Sequence, residues 1–245
     1  VRIVDPTETT PRIAESKVSR RASSPVPKGE AAKRRGPKAN GPFPAAENTR
    51  PQILEAAARE FAEKGLAGSR VDSIAEVSGC NKAMIYYFFK SKEELYLAVL
   101  EHAYSEMRAH EQRLDLGNLP PLAALRRLVE FKFDYIRTHP RLIGLLSGEN
   151  VNGARYLKRS ACVPDMQSPL VATISALLQV GVAEGTIRPG IDPVQLYFSI
   201  ASLGYFYFSN GATLAFAFGR ELMSREAHAA RRAHAVDMIL RYVRP

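Results

Sequence analysis

From residue 49 to residue 107, apolar positions recur every three or four residues, with polar positions between them. That period predicts helices, because residues so spaced share one face of a 3.6-residue turn. Ile53, Ala57 and Phe61, with Leu54 beside them, make the first such face. Thr49 is its expected N-cap, Pro51 lies in the first turn, Gln52 holds the capping-box position, and Gly65 is the expected stop. Ser69 is the expected cap of a short second helix with Val71, Ile74 and Ala75 inward, and Gly79 ends it. Asn81 caps a third helix running to Phe88. Ser91 and Glu94 form a capping box for a fourth, whose apolar side is Leu95, Val99, Leu100, Ala103 and Met107.

Beyond the loop at 117–121, the same period predicts helices over 122–137, 142–149, 169–184, 193–219 and 225–242. No alternating strand pattern and no repeat of domain-building length interrupts them. The predicted class is all-α, with a small bundle at 47–92 and a larger one at 93–245.

Residues 1–46 break the pattern. They hold ten Lys or Arg against four Asp or Glu, which supplies +6 of the chain's net +9, and seven of its sixteen prolines. With so few large apolar residues, burial cannot offset the entropy of ordering, and a disordered basic arm is expected. Its densest charge lies at Lys33, Arg34, Arg35 and Lys38, a run suited to a DNA minor groove or to phosphates; a solvated tail is the plainer alternative.

Across all 245 residues, 46% are hydrophobic, enough for a substantial core. The sequence pI of about 9.7 favours an anionic partner. Cys80 and Cys162 have no C-x-x-C spacing, so neither a disulfide framework nor a zinc site is expected. No uncharged apolar run of spanning length and no signal-like start were found, so the expectation is cytoplasmic, with no membrane partner. The pairs His102/His110 and His228/His234 lack a third ligand, and neither a nucleophile elbow nor a Gly-rich phosphate loop is present. No metal, cofactor or catalytic site is expected.

The stretch 78–95 carries the most chemistry. Four adjacent rings, Tyr86 to Phe89, sit among Asn81, Lys82, Lys90 and Lys92. A helix divides such a run by face. Phe88 and Phe89 anchor the bundle, while Tyr86 and Tyr87 extend outward and the helix start stays short and polar. With Ala75 at a close crossing, Gly79 at a turn needing positive φ, and Ile74, Cys80, Ile85 and Phe88 inward, this is a helix-turn-helix arrangement. An ordinary αα-corner shares the same Ala and Gly.

Arg50 to Ala57, Phe61, Gly65, Ser69, Ile74-Ala75, Gly79, Ile85-Tyr86, Phe89 and Ser91 to Leu95 resemble the DNA-binding domain of TetR-family transcriptional regulators over about residues 48–100. The family usually has Val-Ser where this chain has Cys80-Asn81, and often Gly-Thr at Ala83-Met84. The resemblance implies that Ser69 and Lys92 bind phosphate and Tyr86 leans on the backbone. Asn81, Lys82, Ala83, Met84 and Tyr87 would line the major groove, and Arg50 would reach a phosphate.

Through Pro121-Leu122, Thr138 to Leu142, Gly185 to Arg188 and Ile191 to Pro193, the C-terminal part is diffusely similar to the subgroup that includes the pyrimidine-utilisation repressor of enteric bacteria. The resemblance implies a homodimer and a cavity for an unidentified small-molecule effector. Tyr205, Phe208, Ala212, Leu214 and Phe216 on the apolar 193–219 helix, with Val236, Ile239 and Leu240 on the last helix, are the expected dimer seam; burial within one subunit is the alternative. Phe131, Tyr135, Leu146, Glu149, Asn150, Leu178 and Tyr197 are pocket candidates, although aromatics at helical spacing also build ordinary cores. The implied function is a ligand-responsive regulator, a repressor by family default, binding a palindromic operator and released by its effector, with the fourth helix as lever. A sequence-tolerant architectural DNA binder without effector is the alternative.

Overall fold

A computed structural model describes residues 46–245; the basic run Lys33, Arg34, Arg35 and Lys38 lies outside the described residues. Ten α-helices and two single 3-10 turns, with no strand, make up the described residues. Helices α1 (Ala46–Gly68), α2 (Val71–Ser78), α3 (Lys82–Phe89) and the start of α4 (Lys92–Gln112) share one apolar cluster. Ile53, Ala57, Ile74 and Leu95 are completely buried there, with Phe61, Ile85 and Leu100 at 1% exposure. A second cluster joins α5 (Pro121–Thr138), α7 (Cys162–Ala183), α8 (Pro193–Ser209) and α10 (Arg225–Val243). A third, of Met107, Tyr135, Ile136 and Leu142, lies where α4, α5 and α6 (Arg141–Val151) meet.

Several local expectations need correction. The first helix starts at Ala46, so Thr49 lies inside it and Pro51 falls a turn later than expected. Gly65 does break it (φ 64, ψ 174), though helical turns resume as far as Gly68. Ser69 does not cap α2. Arg70 holds the N-cap position without a side-chain bond, and its N–H donates instead to Glu60 Oε1 of α1 at 3.0 Å. The expected helix over 193–219 is two: at Asn210 (φ −109, ψ 8) the side-chain amide donates to the Phe206 carbonyl at 3.1 Å, and α9 (Gly211–Phe218) begins afresh.

Helix α7 reaches back to Cys162, before the predicted start, and its length and mean hydropathy of 1.4 match a membrane-crossing helix, which the sequence reading had not found. Its inward residues Leu170, Ile174, Leu177 and Leu178 belong to the larger core.

Other expectations hold because their cause is local. Gly79 takes φ 68, and its N–H closes on the Glu76 carbonyl at 3.3 Å. Asn81 Oδ1 accepts from the Met84 N–H at 2.8 Å, and Ser91 Oγ from the Glu94 N–H at 3.1 Å. The reciprocal half of the Ser91 box is missing, since the Glu94 carboxylate pairs with Arg159.

Candidate nucleic-acid interface and cavity

Helix α3 separates its rings as its spacing requires. Ile85 and Phe89 are buried, whereas Tyr86 is 45% and Tyr87 69% exposed. Asn81, Lys82 and Ala83 are exposed at its start and Met84 is half-buried. These residues form one outward surface led by a capped N-terminus. Lys82 Nζ lies 2.6 Å from Asp72 Oδ1 of α2, an exposed pair that contributes little to stability and leaves the lysine able to change partner. Arg50 is exposed beside the far end of α3, its guanidinium 5.3 Å from the Phe89 ring centre.

Two residues implied as phosphate contacts are engaged inside the chain. Ser69 is 5% exposed, and its hydroxyl donates to the Leu66 carbonyl at 2.8 Å. Lys92, half-buried, donates to the carbonyls of Leu66 at 2.8 Å and Ser69 at 3.2 Å. The ammonium thereby ties the turn after α1 to the start of α4.

Nothing in the apolar pattern announced Lys90. It has φ 62 and ψ −47, and the Ser91 N–H reaches back to the Phe89 carbonyl at 2.6 Å. This is a γ-turn of the rare, strained hand. It reverses the chain between α3 and α4 within a single residue.

A cavity of about 420 Å³ lies among α4, α5, α6 and α8. Tyr135, Leu146, Asn150 and Tyr197 line it, as expected from the sequence. Three other candidates do not. Phe131 packs beside the cavity cluster, and Leu178 is buried in the larger core. Glu149, 1% exposed, accepts the N–H groups of Tyr156 and Leu157 at 3.1 and 2.9 Å. Burial, together with the neighbouring Glu149, pushes the Tyr96 hydroxyl up to about 12. The sequence reading missed Tyr104, Lys132, Phe198 and Ser202 as lining residues and placed Tyr205 elsewhere.

Lys132 is the cavity's one charged lining residue. It falls on the apolar stripe of α5, in register with Leu125, Leu128, Val129 and Ile136, a position where a lysine should have signalled a function. Its Nζ pairs with Glu111, which also pairs with Arg108. Both cations approach the Tyr197 hydroxyl, Arg108 Nη2 at 3.2 Å and Lys132 Nζ at 3.5 Å.

The residues expected at the dimer seam lie in several different places. Val236, Ile239 and Leu240 are at most 5% exposed and belong to the subunit's own core, and Val236 and Leu240 also line the groove between α5 and α10. Tyr205 faces the cavity, its hydroxyl 3.1 Å from Ser147 Oγ. Phe208 packs on Phe133 with ring centres 5.0 Å apart. Leu214 is half-buried, while Ala212 and Phe216 are exposed. The apolar residues α8 and α10 do present outward are Val194, Phe198, Phe206, Met238 and Tyr242. An open groove of about 1030 Å³ runs between α5 and α10.

With this geometry, known relatives can be compared. Residues 53–99 match the family described as bacterial regulatory proteins, tetR family, and residues 121–239 match the tetracyclin repressor-like C-terminal domain. The chain is 35% identical to the HTH-type transcriptional repressor NicS of Pseudomonas putida over 199 residues, covering 81% of this chain and 94% of that protein. The chain belongs to the TetR family. It is 34% identical to the HTH-type transcriptional regulator RutR of Escherichia coli over 157 residues, 60% of this chain and 68% of that one. A solved structure, the transcriptional regulator SCO4942 of Streptomyces coelicolor, aligns with a TM-score of 0.61 at 25% identity, covering 80% of this chain and 99% of that one. In this TetR-family chain α2 and α3 are therefore the helix-turn-helix, and α5 to α10 the larger helical bundle.

Proposed function

We propose that this TetR-family regulator represses transcription as a cytoplasmic homodimer that binds a palindromic operator through α3 and leaves it when a small molecule fills the cavity. The observation that carries the reading is the division of α3, with Ile85 and Phe89 buried and Tyr86, Tyr87 and Lys82 outward behind a capped N-terminus. A helix held so firmly can enter a major groove with its polar start against phosphate and base edges. Asn81, Lys82, Ala83, Met84 and Tyr87 face bases in this reading, and Arg50, Tyr86 and the third proton of Lys92 face phosphates. The basic arm at 33–38 adds further phosphate contacts.

Helix α6 is the element that links cavity to DNA. Leu142, Leu146 and Asn150 line the cavity, while Leu145 joins the core of the N-terminal bundle. Arg141 also pairs with Glu55 of α1. A ligand that displaces α6 shifts DNA affinity by as much as it prefers one α6 position over the other. The fourth helix, the lever expected from the sequence, shares that role. Val194, Phe198 and Phe206 on α8, with Met238 and Tyr242 on α10, are the outward apolar residues the homodimer would bury.

The test is selection of random duplex DNA by the purified chain, followed by sequencing. Two inverted half-sites whose centres lie about 34–36 Å apart are expected. Recovery of unrelated sequences with no enriched site would replace this reading with that of a sequence-tolerant DNA binder.

A further inference from the structure

Charge decides what the cavity accepts. Arg108, Glu111 and Lys132 are each 5 or 6% exposed, and their direct pairings bring two cations to one carboxylate. One positive charge is left over on side chains that are themselves almost fully buried, where an uncompensated charge is costly. Glu149, the next buried carboxylate, is already engaged by the backbone N–H groups of Tyr156 and Leu157.

The hydroxyl of Tyr197 points the same way. It accepts from both Arg108 and Lys132, so its single proton is directed away from them. Lys132 spends a further direction on the Met107 sulfur at 3.8 Å, a weak acceptor that a carboxylate displaces readily. Around these groups the cavity is aromatic and aliphatic, with Tyr104, Ile136, Leu142 and Leu146 among its walls. Its volume of about 420 Å³ suits a compact molecule.

We propose that the ligand is a small organic monoanion, a carboxylate on a compact apolar or aromatic body, seated on Lys132 and the Tyr197 hydroxyl. Arg108 supports the site through Tyr197 and Glu111 and does not line the cavity. The assignment rests on the reading that this cavity is the effector site.

The test is thermal unfolding of the full chain with matched pairs: benzoate and benzamide, phenylacetate and phenylacetamide, hexanoate and hexanamide. Acids should raise the melting temperature with the logarithmic dependence on free concentration that site binding imposes, and amides should bind at least roughly tenfold more weakly. Lys132→Met should bring the acids down to the affinity of the amides. Tyr197→Phe, which removes one hydroxyl and leaves the packing intact, should weaken acids by roughly tenfold and amides less. Equal binding of acid and amide overturns the proposal, as does an acid preference retained in Lys132→Met, or a series in which no acid binds at millimolar concentration. An acid that binds but leaves DNA affinity unchanged upholds the ligand class and removes the effector role.

Discussion

Gly144 of α6 lies against Ala62 of α1 so closely that a Cβ on the glycine would stand 2.3 Å from the Ala62 carbonyl oxygen. The obstructing atom is helix backbone, which cannot swing aside as a side chain would. The cavity-lining helix thus rests directly on the first helix of the DNA-binding bundle. Gly144→Ala should push the two helices apart, lowering stability by about 1–3 kcal/mol and weakening the effect of any cavity ligand on DNA affinity. Thermal unfolding and ligand-titrated gel shifts measure the two effects. An unchanged ligand response in a folded variant would remove α6 as the coupling element.

Lys92 gives a prediction with two parts. Two of its three protons go to the Leu66 and Ser69 carbonyls, and the third is left for a phosphate. Lys92→Ala should therefore lower stability by about 1–3 kcal/mol and also reduce the salt slope of DNA binding by about one unit. A loss of stability with an unchanged slope would leave the lysine as an internal clasp only.

Glu60 sets an acid limit. Burial tends to raise its carboxyl, but the Lys64 hydrogen bond, the Arg70 N–H and the charges of both residues outweigh it and hold the group below its ordinary 4.5. A carboxylate lowered in the folded state adds stability that is complete above that ordinary value and lost as pH falls below it, through the lowered value. In Glu60→Gln this part of the acid dependence should vanish, while the neutral-pH melting temperature falls because Lys64 loses its charged partner. Melting temperatures of both proteins through the acid range decide it; parallel curves would assign the acid loss to other groups.

What the sequence disclosed follows a simple division. Asn81, Gly79 and Ser91 were legible because each acts on backbone within three or four residues of itself. Ser69 misled because the N–H of Arg70 at the α2 start finds its acceptor on another helix, at Glu60, while the Ser69 hydroxyl turns to the Leu66 carbonyl. The inward facing of Val236, Ile239 and Leu240 depends on how α10 is rotated against α5 and α8, which periodicity alone does not fix. The break at Asn210 was hidden because apolar residues continue on both sides of it. Lys132 was readable in principle, as a charge on an apolar stripe, but its meaning needs Glu111 and Tyr197 beside it.

The outward aromatic side of α8 predicts assembly. Phe206 is 54% exposed and Phe198, two turns earlier, 55%. Burying the exposed half of each ring in a partner would contribute roughly 1–1.5 kcal/mol per ring. Phe206→Glu should convert a dimer to a monomer in sedimentation and abolish tight operator binding, since the two half-sites are then engaged separately. A variant that stays dimeric would move the seam elsewhere.

The claim on which the rest depends is that α3 docks on duplex DNA with Asn81 to Tyr87 outward. Hydrogen–deuterium exchange of the full chain, with and without a selected duplex, tests it most directly. Slowed exchange across 81–89, with the amides of α8 and α10 unaltered, is the predicted result. Unchanged exchange across α3, accompanied by protection on another surface, would contradict it.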